Sequence, residues 1–106
     1  VVERLAGMKT AANDFRIFWD NAYGVHHLTE EKVSLANILE RCAARGNPNR
    51  AFVFASTSKI TFAGAGLSAV AASKANIQWL ISRLTPQTIG PDKINQLRHV
   101  RFLNPP

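Results

Sequence analysis

Ala51-Phe52-Val53-Phe54-Ala55 is followed without a break by Ser56-Thr57-Ser58-Lys59, and the chain then enters a glycine-rich stretch containing Gly64 and Gly66. The first five residues are aromatic, β-branched or small, with no polar alternation. That predicts a short strand over Ala51–Ala55, buried on both faces as in a parallel sheet. A lysine then stands at the mouth of the strand, behind two hydroxyl side chains. Desolvation there disfavours the ammonium form. The same penalty makes the amine nucleophilic and able to form a Schiff base with a carbonyl compound. Taken alone, Ser-Thr-Ser-Lys fits a surface turn better, so the flanking sequence has to decide.

Upstream, Phe15-Arg16-Ile17-Phe18-Trp19 reads as another strand, closed by the loop-like run Asp20-Asn21-Ala22-Tyr23-Gly24. Residues 3–12 have helix-compatible composition, and Asn13-Asp14 breaks that run. Between the two strands, Leu35, Ile38, Leu39 and Cys42 fall on one helical face. They predict a helix over 34–45 with Ser34 as N-cap, Gly46 as its stop and Asn47-Pro48-Asn49 as a turn. Downstream, Leu67–Ala72 is a third candidate strand. Asn76–Leu84 reads as a helix followed by Pro86, and Pro91 suits the first turn of a last helix carrying Ile94, Leu97 and Val100. Strand, helix, strand, then a small-residue strand and more helix is an α/β arrangement. Ligands of such sheets bind at the carboxyl ends of the strands. The loops Asp20–Tyr23 and Ser56–Lys59 are therefore expected to share one edge.

At 106 residues, 46% hydrophobic and 19% charged, the chain has the composition of one soluble globular domain. No segment has the apolar length of a membrane-spanning helix. The N-terminus has no signal pattern and starts at Val1, so we expect the chain to begin partway through a longer protein. A net charge of +6 raises nucleic-acid binding. The basic residues are scattered, however, with only Arg41, Arg45 and Arg50, and separately Arg98 and Arg101, near one another. Aromatics are not interleaved with them, and no nucleic-acid partner is expected. Cys42 is the one cysteine, which fits a reducing, cytoplasmic setting and a packing role. His26 and His27 point to opposite sides and lack a third ligand at suitable spacing, so no metal is expected. His99 reads as a solvated or interface residue, and Trp19 and Trp79 as packing.

The runs Asp20-Asn21-Ala22-Tyr23 and Ser56-Thr57-Ser58-Lys59, the latter followed by Ile-Thr-Phe-Ala-Gly-Ala-Gly-Leu over 60–67, resemble the fold type I pyridoxal-phosphate enzymes. Within them they are similar to the class I aminotransferases. The wording around the lysine and the run Gln-Thr-Ile-Gly-Pro-Asp-Lys-Ile-Asn-Gln-Leu-Arg-His-Val-Arg-Phe-Leu over 87–103 look most like a bacterial aspartate-aminotransferase-like subgroup. The resemblance implies pyridoxal 5′-phosphate as cofactor, with Lys59 as its Schiff-base lysine and the catalytic acid/base. Asp20 would pair with the protonated pyridine nitrogen, and Tyr23 would donate its phenol to the cofactor's O3′. Ser56 and Ser58 would hold the phosphate, and Thr57 has no implied role. The family's arginine eight residues beyond the lysine is Leu67 here, with Ser68 beside it. The phosphate would then be held differently, or by backbone amides of the Gly64–Gly66 segment.

The family's upstream Asn-Pro-x-Asn-Pro-Thr-Gly segment, its cofactor-stacking aromatic residue and its substrate-binding arginine have no counterpart here. The resemblance therefore implies that 1–106 is the central portion of the large cofactor-binding domain, a three-layer α/β unit with a mainly parallel sheet. The remainder of that domain and the small domain would lie outside this chain. The implied whole is a homodimeric transaminase. It would move an amino group between an amino acid, aspartate foremost, and a 2-oxo acid such as 2-oxoglutarate, while these residues alone would be inactive. A β-lyase or decarboxylase on the same cofactor framework shares Lys59, Asp20 and Tyr23. The aminotransferase-like domain of a bacterial transcriptional regulator is the alternative outside the enzymes.

Overall fold

Arg50 fixes where the chain's first helix ends. The computed structural model describes residues 1–104 and begins with α1 (Val2–Gly7), shorter than the expected 3–12. The last carbonyls of a helix have no partner within it. The buried Arg50 supplies one, donating from Nη1 to the carbonyls of Leu5 (3.2 Å), Ala6 (3.0 Å) and Met8 (2.8 Å). Asn47 Nδ2 adds a bond to the Ala6 carbonyl at 3.0 Å, and the backbone leaves the helix extended at Met8.

The first strand, β1 (Ile17–Asp20), starts two residues later than expected and includes Asp20 as its last residue. Helix α2 (Ile38–Ala44) corrects the N-terminus expected at Ser34. Asn37 is the cap: its Oδ1 accepts from the amides of Leu39 and Glu40, and its Nδ2 donates to Glu40 Oε1 at 2.9 Å. Glu40 thus meets the cap's side chain, where a capping box would have it accept from the cap's backbone amide. Leu35, assigned by periodicity to the helix face, lies outside it and is exposed. The expected stop holds. Gly46 takes φ +74°, its amide bonds to the Ala43 carbonyl, and the Asn47 amide reaches back to the Cys42 carbonyl at 2.8 Å. Those two bonds with a left-handed glycine form a Schellman motif.

Strand β2 (Ala51–Ser56) lies between β1 and β3 (Ser68–Ala72) in a mixed three-stranded sheet. It runs parallel to β1, with Ile17 opposite Ala51 and Asp20 opposite Phe54, and antiparallel to β3, with Ser56 opposite Ser68. The expectation that β2 is covered on both faces holds only for its first half, since Phe54 and Ala55 are exposed. Phe54 and Ala55 point to opposite sides of the pleat, so β2 loses its cover on both faces toward its carboxyl end. Ala51 and Val53 face α1 and α2, where Ala6, Ile38 and Cys42 make the core and Ile17, Trp19 and Leu39 pack around it. Phe52 and Phe54 face the other way with Phe18, which contacts both rings edge-on at 5.7 and 5.5 Å. A cleft of about 580 Å³ separates these rings from Trp79 and Leu80 of α3 (Lys74–Thr88), the third layer.

Helix α3 runs past Pro86 to Thr88, beyond the expected end at Leu84, and is capped by Ser73. Helix α4 (Lys93–Leu103) is capped by Asp92, whose Oδ1 accepts from the amides of Ile94 and Asn95 at 3.0 Å each. Pro91 therefore precedes the cap instead of sitting in the first turn. Cys42 is buried as expected; burial pushes its thiol up, against the opposing pull of the nearby Arg50 charge. The charges grouped in the sequence serve the fold, because Arg41 and Arg45 both pair with Glu3 at 3.1 Å. None of the described helices is long and apolar enough to cross a membrane.

Candidate active site

The parallel pairing of β1 with β2 puts their carboxyl ends side by side. Asp20 ends β1 opposite Phe54, and the Asn21 amide still bonds to the Phe54 carbonyl at 2.8 Å, so the ladder reaches the loop. By strand alternation Asp20, Phe54, Ser56 and Ser68 all belong to one face of the sheet. Two of the expected site residues, Asp20 and Ser56, are thus brought to the same face at the same edge. The Asp20 Oδ1 accepts from the Ala22 amide at 3.1 Å, an Asx turn that steers the chain toward Tyr23.

Tyr23 is exposed, and its ring lies beneath the Lys59 ammonium, with Nζ 5.9 Å from the ring centroid. His26 stacks edge-on against Tyr23 at 5.5 Å and bonds through Nε2 to the Lys59 carbonyl at 3.4 Å. The two loops expected to share an edge therefore touch each other. Asp20 and Lys59 are both exposed within these residues. The desolvated strand mouth inferred from the apolar run does not form around Lys59 in this chain. The reason is local: β2 has lost its cover by Phe54, five residues before the lysine.

Ser56 and Ser58 form one turn, with the Ser56 Oγ accepting from the Ser58 amide at 3.4 Å. A cleft of about 420 Å³ opens at this end of the sheet, lined by Asn21, Gly24, Ser56, Thr57, Leu67 and Ser68 among others. Asp20 and Tyr23 line a smaller neighbouring depression of about 240 Å³ that shares Asn21, Ala22 and Gly24 with it. Lys59 lines neither of these two hollows. Leu67, standing where an arginine was looked for, is tied through its backbone: Thr57 N donates to its carbonyl and its amide donates to Thr57 Oγ1, both at 2.8 Å. Of the glycine-segment amides, that of Ala65 is already engaged by the Phe62 carbonyl at 3.1 Å.

Thr57 and His99 are the residues that sequence reasoning missed. Sequence alone assigns Thr57 no role and reads His99 as solvated or at an interface. The structure buries His99 to 1% exposure and sets its Nε2 3.1 Å from Thr57 Oγ1 and 2.8 Å from Thr61 Oγ1. The partners lie 42 and 38 residues away in the chain, a distance no local pattern reports. Only the spacing of Thr57 and Thr61, one helical turn apart around Lys59, could have hinted at it.

Residues 1–105 match the family profile described as aspartate amino-transferase. An aminotransferase of Mycolicibacterium smegmatis is 60% identical over 102 residues, covering 96% of this chain and 24% of that protein. The aspartate aminotransferase of Corynebacterium glutamicum is 50% identical over the same length, with the same coverage. Two solved structures superpose with a TM-score of 0.89: an aspartate transaminase of C. glutamicum, 50% identical, and an aminotransferase of Corynebacterium diphtheriae, 51% identical. Each superposition covers 95% of this chain and 24% or 25% of the other. The chain thus spans about a quarter of the length of the relatives it matches. With sequence, fold and strand-end geometry in agreement, the chain belongs to the aspartate aminotransferase family.

Proposed function

We propose that this chain carries the cofactor-holding lysine of a pyridoxal-phosphate-dependent transaminase that exchanges the amino group of aspartate with a 2-oxo acid such as 2-oxoglutarate. The observation that supports it most is the meeting of the Tyr23 and Lys59 loops at the strand end where Asp20 closes β1. The donor set fits the group. A carboxylate, a phenol, a primary amine and two hydroxyls are the partners that a pyridine nitrogen, a phenolic oxygen, an aldehyde and a phosphate require. The approach of Gly66 to Ser58 also fits: a Cβ at position 66 would stand 2.7 Å from the Ser58 nitrogen. The chain thus keeps its hydroxyl-bearing turn free of side-chain bulk.

Bound pyridoxal phosphate supplies an electron sink for charge left at an amino acid's α-carbon. Asp20, at the end of β1, presents a carboxylate that favours a protonated ring nitrogen. Lys59 would supply the amine that holds the group, and the same amine could take up and return the α-proton. Tyr23 donates its phenol beside that amine. Ser56 and Ser58 donate hydroxyls to the phosphate, in a family position where Leu67 offers no guanidinium.

The test is a visible absorbance spectrum of the whole protein that contains this sequence, mixed with pyridoxal phosphate. A band that borohydride discharges and that Lys59→Ala abolishes is expected, together with transfer from aspartate to 2-oxoglutarate. A colourless protein that takes up no cofactor overturns the reading. Release of pyruvate or CO₂ without 2-oxo-acid exchange would overturn the transaminase assignment while leaving the cofactor in place.

A further inference from the structure

We infer that His99 is a positioning residue for Lys59, acting through Thr57 and Thr61; the inference rests on the cofactor-lysine reading above. Residues 57–61 form a single turn, in which the amides of Ile60 and Thr61 both bond to the Thr57 carbonyl at 2.9 Å. Thr57 and Thr61, four apart, lie on one side of that turn, and Lys59, two positions on, projects from the other. His99 grips the threonine side. Its Nδ1 stands 2.9 Å from the Asn95 carbonyl, which can only accept, so Nδ1 carries a hydrogen. In the neutral ring, Nε2 then accepts a hydroxyl hydrogen from Thr57 or Thr61.

The hydroxyls are anchored in turn. Thr57 Oγ1 accepts the Leu67 amide at 2.8 Å, and the Thr57 and Thr61 hydroxyls lie 3.1 Å apart, so the one that does not donate to His99 donates to the other. One imidazole therefore ties α4 to both ends of the lysine turn and, through Leu67, to the start of β3. Phe62 completes the contact, edge-on to His99 at 5.4 Å and to Phe102 at 4.9 Å. A hydrogen-bonded ring fixes a turn's rotation where apolar packing alone would let it slide. Rotation of this turn sets the direction in which the Lys59 side chain leaves the backbone, and so the region its amine can reach.

The experiment compares His99→Leu and Thr61→Val in the whole protein. Thr61→Val keeps the ring and removes one hydroxyl partner, so it stays informative if His99→Leu folds poorly. In protein freed of cofactor, hydrogen exchange of the amides over 57–67 is expected to rise about tenfold in His99→Leu and less in Thr61→Val, the scale of a lost buried hydrogen bond. In loaded protein, the absorbance per mole should stay while the visible circular dichroism of the lysine-linked band falls. The kcat should drop about tenfold with KM within about twofold, as for a group that aims the reacting amine. Unchanged exchange over 57–67 in both variants overturns the inference. Faster exchange that is equal in α1 and in 57–67 overturns it as well, since that marks general loosening. If the unmodified protein binds no pyridoxal phosphate, the cofactor reading fails, and the exchange measurement still decides the role of His99.

Discussion

Gly66 and Ser58 approach so closely that position 66 has no room for a side chain. A Cβ there would lie 2.7 Å from the Ser58 nitrogen and 2.8 Å from its Cα, and would overlap its hydroxyl oxygen. Two of those three atoms are backbone, so a rotamer change cannot relieve the clash. Gly66→Ala should therefore displace the turn one residue from Lys59, at a cost of about 1–3 kcal/mol, the usual range for overpacking. Gly64 is a useful contrast. Its φ is +73° with open space around it, so Gly64→Ala meets only the conformational penalty of about 1 kcal/mol. In the whole protein, Gly66→Ala is expected to lose cofactor absorbance at a given pyridoxal phosphate concentration, and Gly64→Ala to retain it with a small drop in melting temperature. Equal cofactor uptake by both would show that the Ser58 turn does not contribute to the phosphate end of the site.

At the scale of elements, α2 shows how capping chemistry overrides periodicity. The i, i+3, i+4, i+7 pattern from Leu35 drew the helix start back to Ser34, yet the helix begins at Ile38. Asn37 satisfies two first-turn amides, and Glu40, three residues on, holds the Asn37 side chain through its Nδ2. Asn37→Ala should lower stability by about 1 kcal/mol, while Ser34→Ala, outside the helix, should leave it unchanged. Denaturant midpoints of the whole protein check both, and equal midpoints for the two variants would place the cap elsewhere. The Asn37-x-x-Glu40 signature was present in the sequence, so this boundary was legible and misread. Other features carried their own local cause and were read directly. Gly46 stops α2 because a left-handed residue is needed there, and Ala51–Ala55 forms a strand because nothing in it prefers otherwise. The antiparallel return of β3 and the His99 grip were not legible, since both depend on contacts between distant segments. Lys59, Tyr23 and Asp20 stand out through a family resemblance in their order, and the loops that carry them meet at the strand ends. Thr57 was passed over because a threonine between two serines looks the same whether it faces solvent or a buried ring.

Taken as a whole, the described residues present more surface than a closed domain of their length. Their radius of gyration is 16.3 Å, against about 13 Å for a compact domain of this length. Their accessible surface is 8466 Å², roughly 2,600 Å² more than a closed globule of this mass presents. Among the described residues the buried apolar ones are Ala6, Ile38, Cys42 and Ala51, which form the core against α1 and α2, and Phe52 on the sheet's other face. On the opposite face Phe18 and Phe54 stay exposed, and Trp79 across the cleft is 56% exposed. An open aromatic face of this kind calls for more protein to cover it, which accords with a chain spanning a quarter of its relatives' length. The Asp20 carboxylate stands on that same open face. We therefore expect the isolated 106-residue polypeptide to melt broadly, to bind a hydrophobic dye, and to show no turnover of aspartate with 2-oxoglutarate even with pyridoxal phosphate added. Calorimetry, dye fluorescence and a coupled assay on that polypeptide check the three. A sharp two-state transition accompanied by robust transamination would mean that these residues close their own core and complete their own site, against the surface they present.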